Sequence, residues 1–178
     1  MKGRLWVIFV ISMLIIVTVL GNISIAKKHN KINLKSNMGQ LYLFEKNPET
    51  WEIVDHGAWG KMRYFMSGSE FEFSFNGHGL EPETWYCLIY YPDPWPGEGL
   101  FILGESIADD DGNIKISGLE NTGDMPSELD ENWPDGVKIW LVLSDDVDGR
   151  MQSIVGWNPT EYLFEYDLIN FDDIDNNR

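Results

Sequence analysis

Four side chains with hard oxygen donors lie within one acidic stretch of the chain. Asp109, Asp111 and Asn113 alternate, and Glu120 takes the twelfth position counted from Asp109. Carboxylate and amide oxygens at such spacing are typical ligands of a calcium loop. The glycine, however, stands at the fourth position (Gly112) instead of the sixth, and Asp-Gly is the commonest signal for a tight hairpin turn. A calcium site and a plain turn are therefore both open, and no other cofactor is expected.

Tryptophan supplies the second candidate site. Trp95 and Trp133 lie in proline-containing loops, where an exposed indole can stack against the ring of a sugar. The alternative is that both rings pack against their own loops and hold them in place. The other tryptophans after residue 38 are expected to pack in the interior, and they are Trp51, Trp59, Trp85, Trp140 and Trp157. A glycan is the expected ligand if either loop is a binding site.

The sequence contains no G-x-S-x-G, H-E-x-x-H, C-x-x-C or P-loop motif. His78 lies between two glycines, which favours a turn position over metal ligation. The single cysteine, Cys87, lies in an apolar run and is expected to be a buried, unreactive thiol. These features predict a non-catalytic binding module. The alternative is an extracellular hydrolase in which two of the many carboxylates act as general acid and base.

The distribution of charge limits the class of partner. Residues 38–178 hold 29 acids and 7 bases, a net charge of −22, whereas the other six Lys and Arg precede them. Contacts with phosphates need clustered Lys and Arg, so a nucleic-acid partner is not expected. Both a strongly solvated surface and cation binding are consistent with this acidity. The expected partner is a glycan or a protein of the cell surface.

An apolar N-terminal stretch predicts the compartment. Lys2 and Arg4 precede sixteen uncharged residues, Leu5 to Leu20, and Ser24-Ile25-Ala26 offers a cleavage site. The expected organisation is a signal peptide or membrane anchor over residues 1–26, a basic polar tether over 27–37 and one domain over 38–178. We expect the domain outside the cell or on its surface, with membrane contact through the N-terminal segment only. The lysines of the tether weaken the membrane orientation that the basic residues before the apolar stretch favour, so a domain that faces the inside of the cell remains the alternative.

In the acidic domain, apolar and polar residues alternate along the sequence with a period of two. In Glu70–Asn76 three phenylalanines alternate with polar residues, as a half-buried strand requires. Trp85–Tyr91 is apolar throughout, which is typical of a central strand covered on both faces. Later strands are expected over Val137–Leu143 and Tyr162–Phe171. The pattern predicts an all-β, immunoglobulin-like β-sandwich of about seven to nine strands behind an N-terminal hydrophobic helix.

The stretch Gly79–Tyr86, GLEPETWY, resembles the corner motif of fibronectin type III domains and related immunoglobulin-like sandwiches. The resemblance implies that Leu80 is buried, that Pro82 turns the chain and that the Tyr86 hydroxyl bonds back to the backbone near the turn. In fibronectin type III the corner precedes the last two strands, whereas a long stretch of strand pattern follows it here. A variant topology is therefore implied.

Four further blocks resemble uncharacterised secreted or membrane-anchored proteins of methanogenic archaea. They are Gly57–Met62 (GAWGKM), Phe75–Leu80 (FNGHGL), Tyr90–Pro96 (YYPDPWP) and Gly156–Tyr162 (GWNPTEY). The resemblance implies export and an all-β domain. It implies no particular activity.

Overall fold

The computed structural model describes residues 37–175, which lie in one compact unit. The predicted signal peptide or anchor, its hydrophobic helix and the tether up to residue 36 fall outside the described residues. Within residues 37–175, no helix has the length and apolar character needed to cross a membrane.

The described residues form twelve β-strands and two short 3₁₀ turns, so the all-β prediction is confirmed. The predicted number of about seven to nine strands is too low, because five of the twelve strands have only two residues, which is too short to show an alternating pattern. The strands are β1 (Met38–Phe44), β2 (Trp59–Phe65), β3 (Ser67–Gly68), β4 (Phe71–His78), β5 (Trp85–Tyr91), β6 (Phe101–Ile107), β7 (Ile114–Glu120), β8 (Lys138–Leu143), β9 (Val147–Asp148), β10 (Ser153–Ile154), β11 (Phe164–Glu165) and β12 (Asp172–Asp173). The 3₁₀ turns are Ser144–Asp146 and Pro159–Glu161.

Two antiparallel sheets pack in a sandwich-like arrangement. The larger sheet has the strand order β11-β1-β2-β4-β7 and the smaller has the order β6-β5-β8. The β6–β7 turn joins the two sheets at one side, and at the other side Leu163 pairs with Leu141 of β8 just before β11 pairs with β1. Two further strand pairs are short, with β3 parallel to β12 and β9 antiparallel to β10.

Strand β4 shows how the alternating pattern builds the core between the sheets. Phe71, Phe73 and Phe75 are buried in this core, while Glu72 and Asn76 are exposed on the opposite face. The predicted half-buried strand is confirmed. Removing three aromatic side chains from water is a large favourable term in folding, about 1.5–3 kcal/mol for each fully buried ring.

Strand β5 is buried on both faces. Tyr86, Leu88 and Tyr90 enter the core between the sheets, whereas Cys87 and Tyr91 enter a second apolar cluster on the outer side of the smaller sheet. Residues 144–165 cover that second cluster with Ile154, Tyr162 and Phe164. The prediction of a central strand covered on both sides is confirmed, because β5 lies between β6 and β8.

The predicted corner forms at the start of β5. The Glu81 backbone N–H donates to the Tyr86 hydroxyl oxygen at 3.2 Å, and Leu80 is buried. The Asp-Gly turn lies against this corner, where the Leu80 N–H donates to the Gly112 carbonyl at 3.0 Å. Gly112 has a φ of +73°, and a Cβ there would lie 2.4 Å from the Leu80 carbonyl oxygen. The glycine at the fourth position of the acidic loop is therefore required by the turn and its packing.

Candidate functional site

Seven aromatic rings form a connected cluster on the outer side of the smaller sheet. The buried members are Tyr91, Trp140, Tyr162 and Phe164. Tyr91 and Trp140 are stacked with ring centroids 3.9 Å apart, and Phe164 meets Trp140 edge-on at 5.1 Å. Strand β8 contributes Trp140, and the covering segment contributes Phe164. These buried rings form a rigid support, because aromatic pairs in such geometries add to the energy of burial.

The other three rings are Trp51, Trp95 and Trp157, and we call them the indole platform. They are 49%, 53% and 42% exposed. Trp51 packs edge-on against Phe164 at 5.0 Å, Trp157 lies 6.2 Å from the same ring, and Trp95 packs edge-on against Trp157 at 5.1 Å. The three indoles are therefore part of one continuous aromatic surface. Exposed apolar side chains that are grouped in this way make the surface a candidate binding site.

The prediction that five tryptophans pack in the interior is confirmed for Trp140 and wrong for the other four. Trp51, Trp59, Trp85 and Trp157 are each between 41% and 53% exposed. Trp59 and Trp85 are the first residues of their strands, and Trp51 and Trp157 lie in connections. Alternation along a strand predicts which face of the sheet a side chain lies on. It does not predict whether the structure packed on that face extends far enough to cover a tryptophan at the end of the strand or in a connection.

A buried carboxylate positions Trp157. Asp146 Oδ2 accepts hydrogen bonds from the Tyr162 hydroxyl at 2.5 Å and from Asn158 Nδ2 at 2.8 Å. The Asp146 carbonyl accepts from the Gly156 N–H at 3.3 Å, and a Cβ at Gly156 would lie 1.9 Å from Asp146 Oδ1. Burial and the bond to Asp146 raise the pKa of the Tyr162 hydroxyl. The residues on both sides of Trp157 are thus held by one network.

A second buried carboxylate positions the loop that carries Trp95. Asp130 Oδ2 accepts from the Tyr90 hydroxyl at 2.8 Å, and Asp130 Oδ1 accepts from the Asp93 N–H at 3.3 Å and from Asn132 Nδ2 at 3.0 Å. Burial, followed by the bond to Asp130, raises the pKa of Tyr90 to about 12. Asp130 and Asp146 were not among the site residues predicted from the sequence, because nothing in the local sequence distinguishes them from the other Asp and Glu residues.

One carboxyl group beside the aromatic cluster has a raised pKa. Burial raises the pKa of Glu165, while hydrogen bonding, including that from Trp140 Nε1, and the nearby Lys46 and Lys138 ammonium groups lower it in part. Lys46 Nζ also donates to the Glu165 carbonyl at 2.7 Å. The charged side chains that shift this pKa are both cations. One of these two cations, Lys138, is also in a salt bridge with Asp93.

Trp133, the other sequence-predicted tryptophan, is exposed but lies elsewhere. It lines a surface groove of about 530 Å³ together with Pro126, Pro134 and Leu168. Among the described residues no ring contact joins Trp133 to the indole platform. The structure thus brings Trp95 into the aromatic surface and leaves Trp133 on a separate one.

The four acidic-loop candidates do not converge. Asp109 Oδ1 accepts from the backbone N–H groups of Asp111 and Asn113 at 3.0 and 2.8 Å, so it stabilises the turn. Asn113 Oδ1 lies 2.7 Å from His78 Nδ1. Glu120 is at the far end of β7, roughly 20 Å from the turn at about 3.3 Å per residue. In the part of the chain that the structure describes, no group of three or more His, Cys, Asp or Glu could hold a metal ion. Calcium stays a prediction for a test in solution.

The interaction that the side chains of the indole platform offer is stacking. Indole faces pack against the apolar C–H faces of a sugar ring, and an indole N–H can donate a hydrogen bond to a hydroxyl group. In comparisons with known proteins, the chain matches no protein family, no curated protein and no solved structure at a significant level.

Proposed function

We propose that the protein is a non-catalytic extracytoplasmic module that binds a glycan of the cell surface through the indole platform. The observation that carries the proposal is the exposure of Trp51, Trp95 and Trp157 on one supported aromatic surface. Leaving three indoles half exposed forgoes a large hydrophobic gain, which a ligand with an apolar face recovers on binding. Because buried carboxylates hold the neighbouring loop residues, little ordering of the backbone opposes binding.

Binding is favoured over hydrolysis by the surroundings of Glu165. A general acid needs a raised pKa, and Glu165 has one. It also needs a second carboxylate as its partner, whereas the charged groups that shift the pKa of Glu165 are the cations Lys46 and Lys138, and the carboxylate of Asp93 is engaged in a salt bridge with Lys138. The carboxylate-dependent hydrolase is therefore the second candidate.

The location and the finer fold belong to the same proposal. An extracellular or cell-surface position is supported by Lys2 and Arg4 before Leu5–Leu20, and by the resemblance to secreted proteins of methanogenic archaea. An immunoglobulin-like assignment of the sandwich is supported by the bond between the Glu81 N–H and the Tyr86 hydroxyl.

The test is a titration of intrinsic fluorescence with neutral polysaccharides. The full chain, kept in a mild detergent because of its apolar N-terminal stretch, is titrated with hydroxyethylcellulose, dextran and galactomannan. We expect at least one of them to shift or quench the Trp emission, and Trp157→Ala and Trp95→Ala to weaken that binding by about tenfold or more each. Trp133→Ala tests the separate groove in the same assay.

Trp85→Ala is the matched control, since Trp85 is as exposed as Trp95 and lies outside the platform. The proposal is contradicted if none of the polysaccharides binds, or if Trp85→Ala weakens binding as much as the platform variants do. Release of reducing ends that disappears in Glu165→Gln would establish the hydrolase instead.

A further inference from the structure

A second surface, formed by the larger sheet, carries cations in an otherwise acidic domain. The outward positions of β1, β2, β4 and β7 form the outer face of the larger sheet. This face holds three of the six Lys and Arg among the described residues, namely Lys61, Arg63 and Lys115. Its one acid is Glu72, although residues 38–178 contain 29 acids. We call this surface the basic face.

The strand register places the residues of the basic face in four rows across the sheet. The two middle rows are polar and cationic, and they are Tyr42, Lys61, Asn76, Lys115 and Gln40, Arg63, Ser74, Ser117. The two outer rows are mostly apolar. One consists of Phe44, Trp59 and His78, and the other contains the pairs Met38–Phe65 and Glu72–Leu119. Neighbouring residues within a row lie about 5 Å apart, so the cations alternate with neutral amide and hydroxyl groups at close range.

The side chains of the basic face are already arranged around a groove of about 530 Å³. Lys61 Nζ lies 5.0 Å above the Tyr42 ring, and the Trp59 ring lies 4.9 Å from the His78 ring. Arg63 is exposed beside them, and none of the three cations forms a salt bridge with a described carboxylate. Their positive charge is therefore available to a ligand.

We propose that the basic face binds a polysaccharide whose sugars carry carboxylates. The planar guanidinium of Arg63 matches a carboxylate in a bidentate contact, and Lys61 and Lys115 supply point charges. Asn76 and Ser74, between the cations, suit the hydroxyl groups of a sugar. Trp59, 41% exposed at the end of the groove, provides a face for stacking.

Other macromolecules fit this face less well. A protein interface has an apolar centre and a polar rim, whereas here the centre is polar and the apolar rows lie at the ends. A nucleic acid needs about one cation for each phosphate contacted, and this face offers only three cations on a domain of net charge −22. The basic face shares no residue with the indole platform, so the inference does not depend on the proposed function.

The experiment measures binding of polygalacturonate to the full chain in detergent by calorimetry. Methyl-esterified polygalacturonate is the matched ligand, since it has the same sugar chain without the charge. We expect the double variant Lys61→Gln/Arg63→Gln to weaken binding of polygalacturonate by about tenfold or more, and the esterified polymer to bind the unaltered protein at least about tenfold more weakly. Both positions are on the outside of the sheet, so the melting temperature of the variant should stay near that of the parent.

Arg150→Gln removes one charge from the exposed β9–β10 turn and serves as the control. The proposal is overturned if polygalacturonate does not bind, if the esterified polymer binds as tightly, or if Arg150→Gln loses as much affinity as the double variant. Tighter binding of poly-glutamate or of a thymidine oligonucleotide would also overturn it, because the partner would then be an acidic protein or a nucleic acid. We expect the variant Trp157→Ala to bind polygalacturonate as the parent does. Loss of this binding would contradict the independence of the basic face from the indole platform.

Discussion

The Tyr162 hydroxyl donates a 2.5 Å hydrogen bond to Asp146 Oδ2, and both residues are buried. The bond joins the turn after β8 to the segment that precedes β11, and Trp157 lies between its two ends in sequence. One polar contact therefore links the covering layer of the fold to the indole platform.

Replacing Tyr162 with Phe tests this link. The ring keeps its packing, but a buried carboxylate loses one donor, so we expect destabilisation by about 1–3 kcal/mol in urea unfolding. The affinity for any polysaccharide bound at the platform should fall as well, because Trp157 loses part of its support. Tyr166→Phe is the control, since Tyr166 is exposed. Equal stability of the two variants would show that the Asp146 bond contributes nothing.

The corner residue Tyr86 makes a similar prediction at a different place. Tyr86→Phe removes the acceptor for the Glu81 N–H, and we expect a loss of about 1–3 kcal/mol with the fold retained. Thermal unfolding followed by circular dichroism measures the change. An unaltered melting temperature would exclude a stabilising role for this bond.

Buried tyrosines predict how stability depends on alkaline pH. Burial, followed by the charges of Asp93 and Asp130, raises the pKa of Tyr91 to about 12, from 10.0 for an ordinary tyrosine. The unfolded chain therefore loses this proton first as pH rises, and the contribution of Tyr91 is complete below pH 10 and lost as pH approaches 12. Each such tyrosine contributes a slope of up to about 1.4 kcal/mol per pH unit. Urea unfolding at several values between pH 9 and 11.5 should show this fall in stability.

In the variant Tyr91→Phe, the free energy of unfolding should fall less steeply with rising alkaline pH, because one titrating tyrosine is removed. Measurements of both proteins between pH 7 and 9 provide the baseline, since Tyr91 of the parent keeps its hydroxyl proton there in the folded and the unfolded state. An identical slope in the variant and the parent above pH 10 would contradict the assigned shift.

The thiol of Cys87 is expected to be inert in the folded protein. Cys87 is 3% exposed, and burial raises its pKa, while a contact with Ser144 Oγ at 3.4 Å lowers it in part. Because the thiolate is the reactive form, a thiol-specific chromogenic disulfide should label no cysteine in native protein and one per chain in denaturant. Rapid labelling of native protein would contradict the burial of Cys87.

Net charge predicts a response to salt. With 29 acids and 7 bases in residues 38–178, like charges repel in the compact state, and raising NaCl from about 0.1 to 1 M shortens the Debye length from about 10 to 3 Å. The melting temperature should therefore rise over this range. Since Glu120 lies far from the Asp109 turn, millimolar calcium should add no more than NaCl of equal ionic strength. A larger calcium response would support Asp109, Asp111, Asn113 and Glu120 as ligands.

Local patterns in the chain were enough to assign several elements. Alternation in β4 places its phenylalanines on one face because successive side chains of a strand point to opposite sides. The uniformly apolar β5 requires cover on both faces, since no polar side is left for water. Asp-Gly places a turn before β7 because only glycine adopts the positive φ of Gly112 at no cost. Each of these signals acts over fewer than about ten residues.

The candidate site depends on contacts that no local pattern encodes. Trp157 and Trp140 have the same side chain, yet one is 42% exposed and the other 6%, because Trp140 lies in β8 beneath residues 144–165, whereas Trp157 belongs to this covering segment. Asp146 is buried and Asp109 is exposed, since burial of a carboxylate needs donors such as Tyr162 brought from a distant part of the chain. Exposure and hydrogen bonding are properties of the packed molecule, so the positions of the indoles and of the acids that hold them follow from the assembly of the layers.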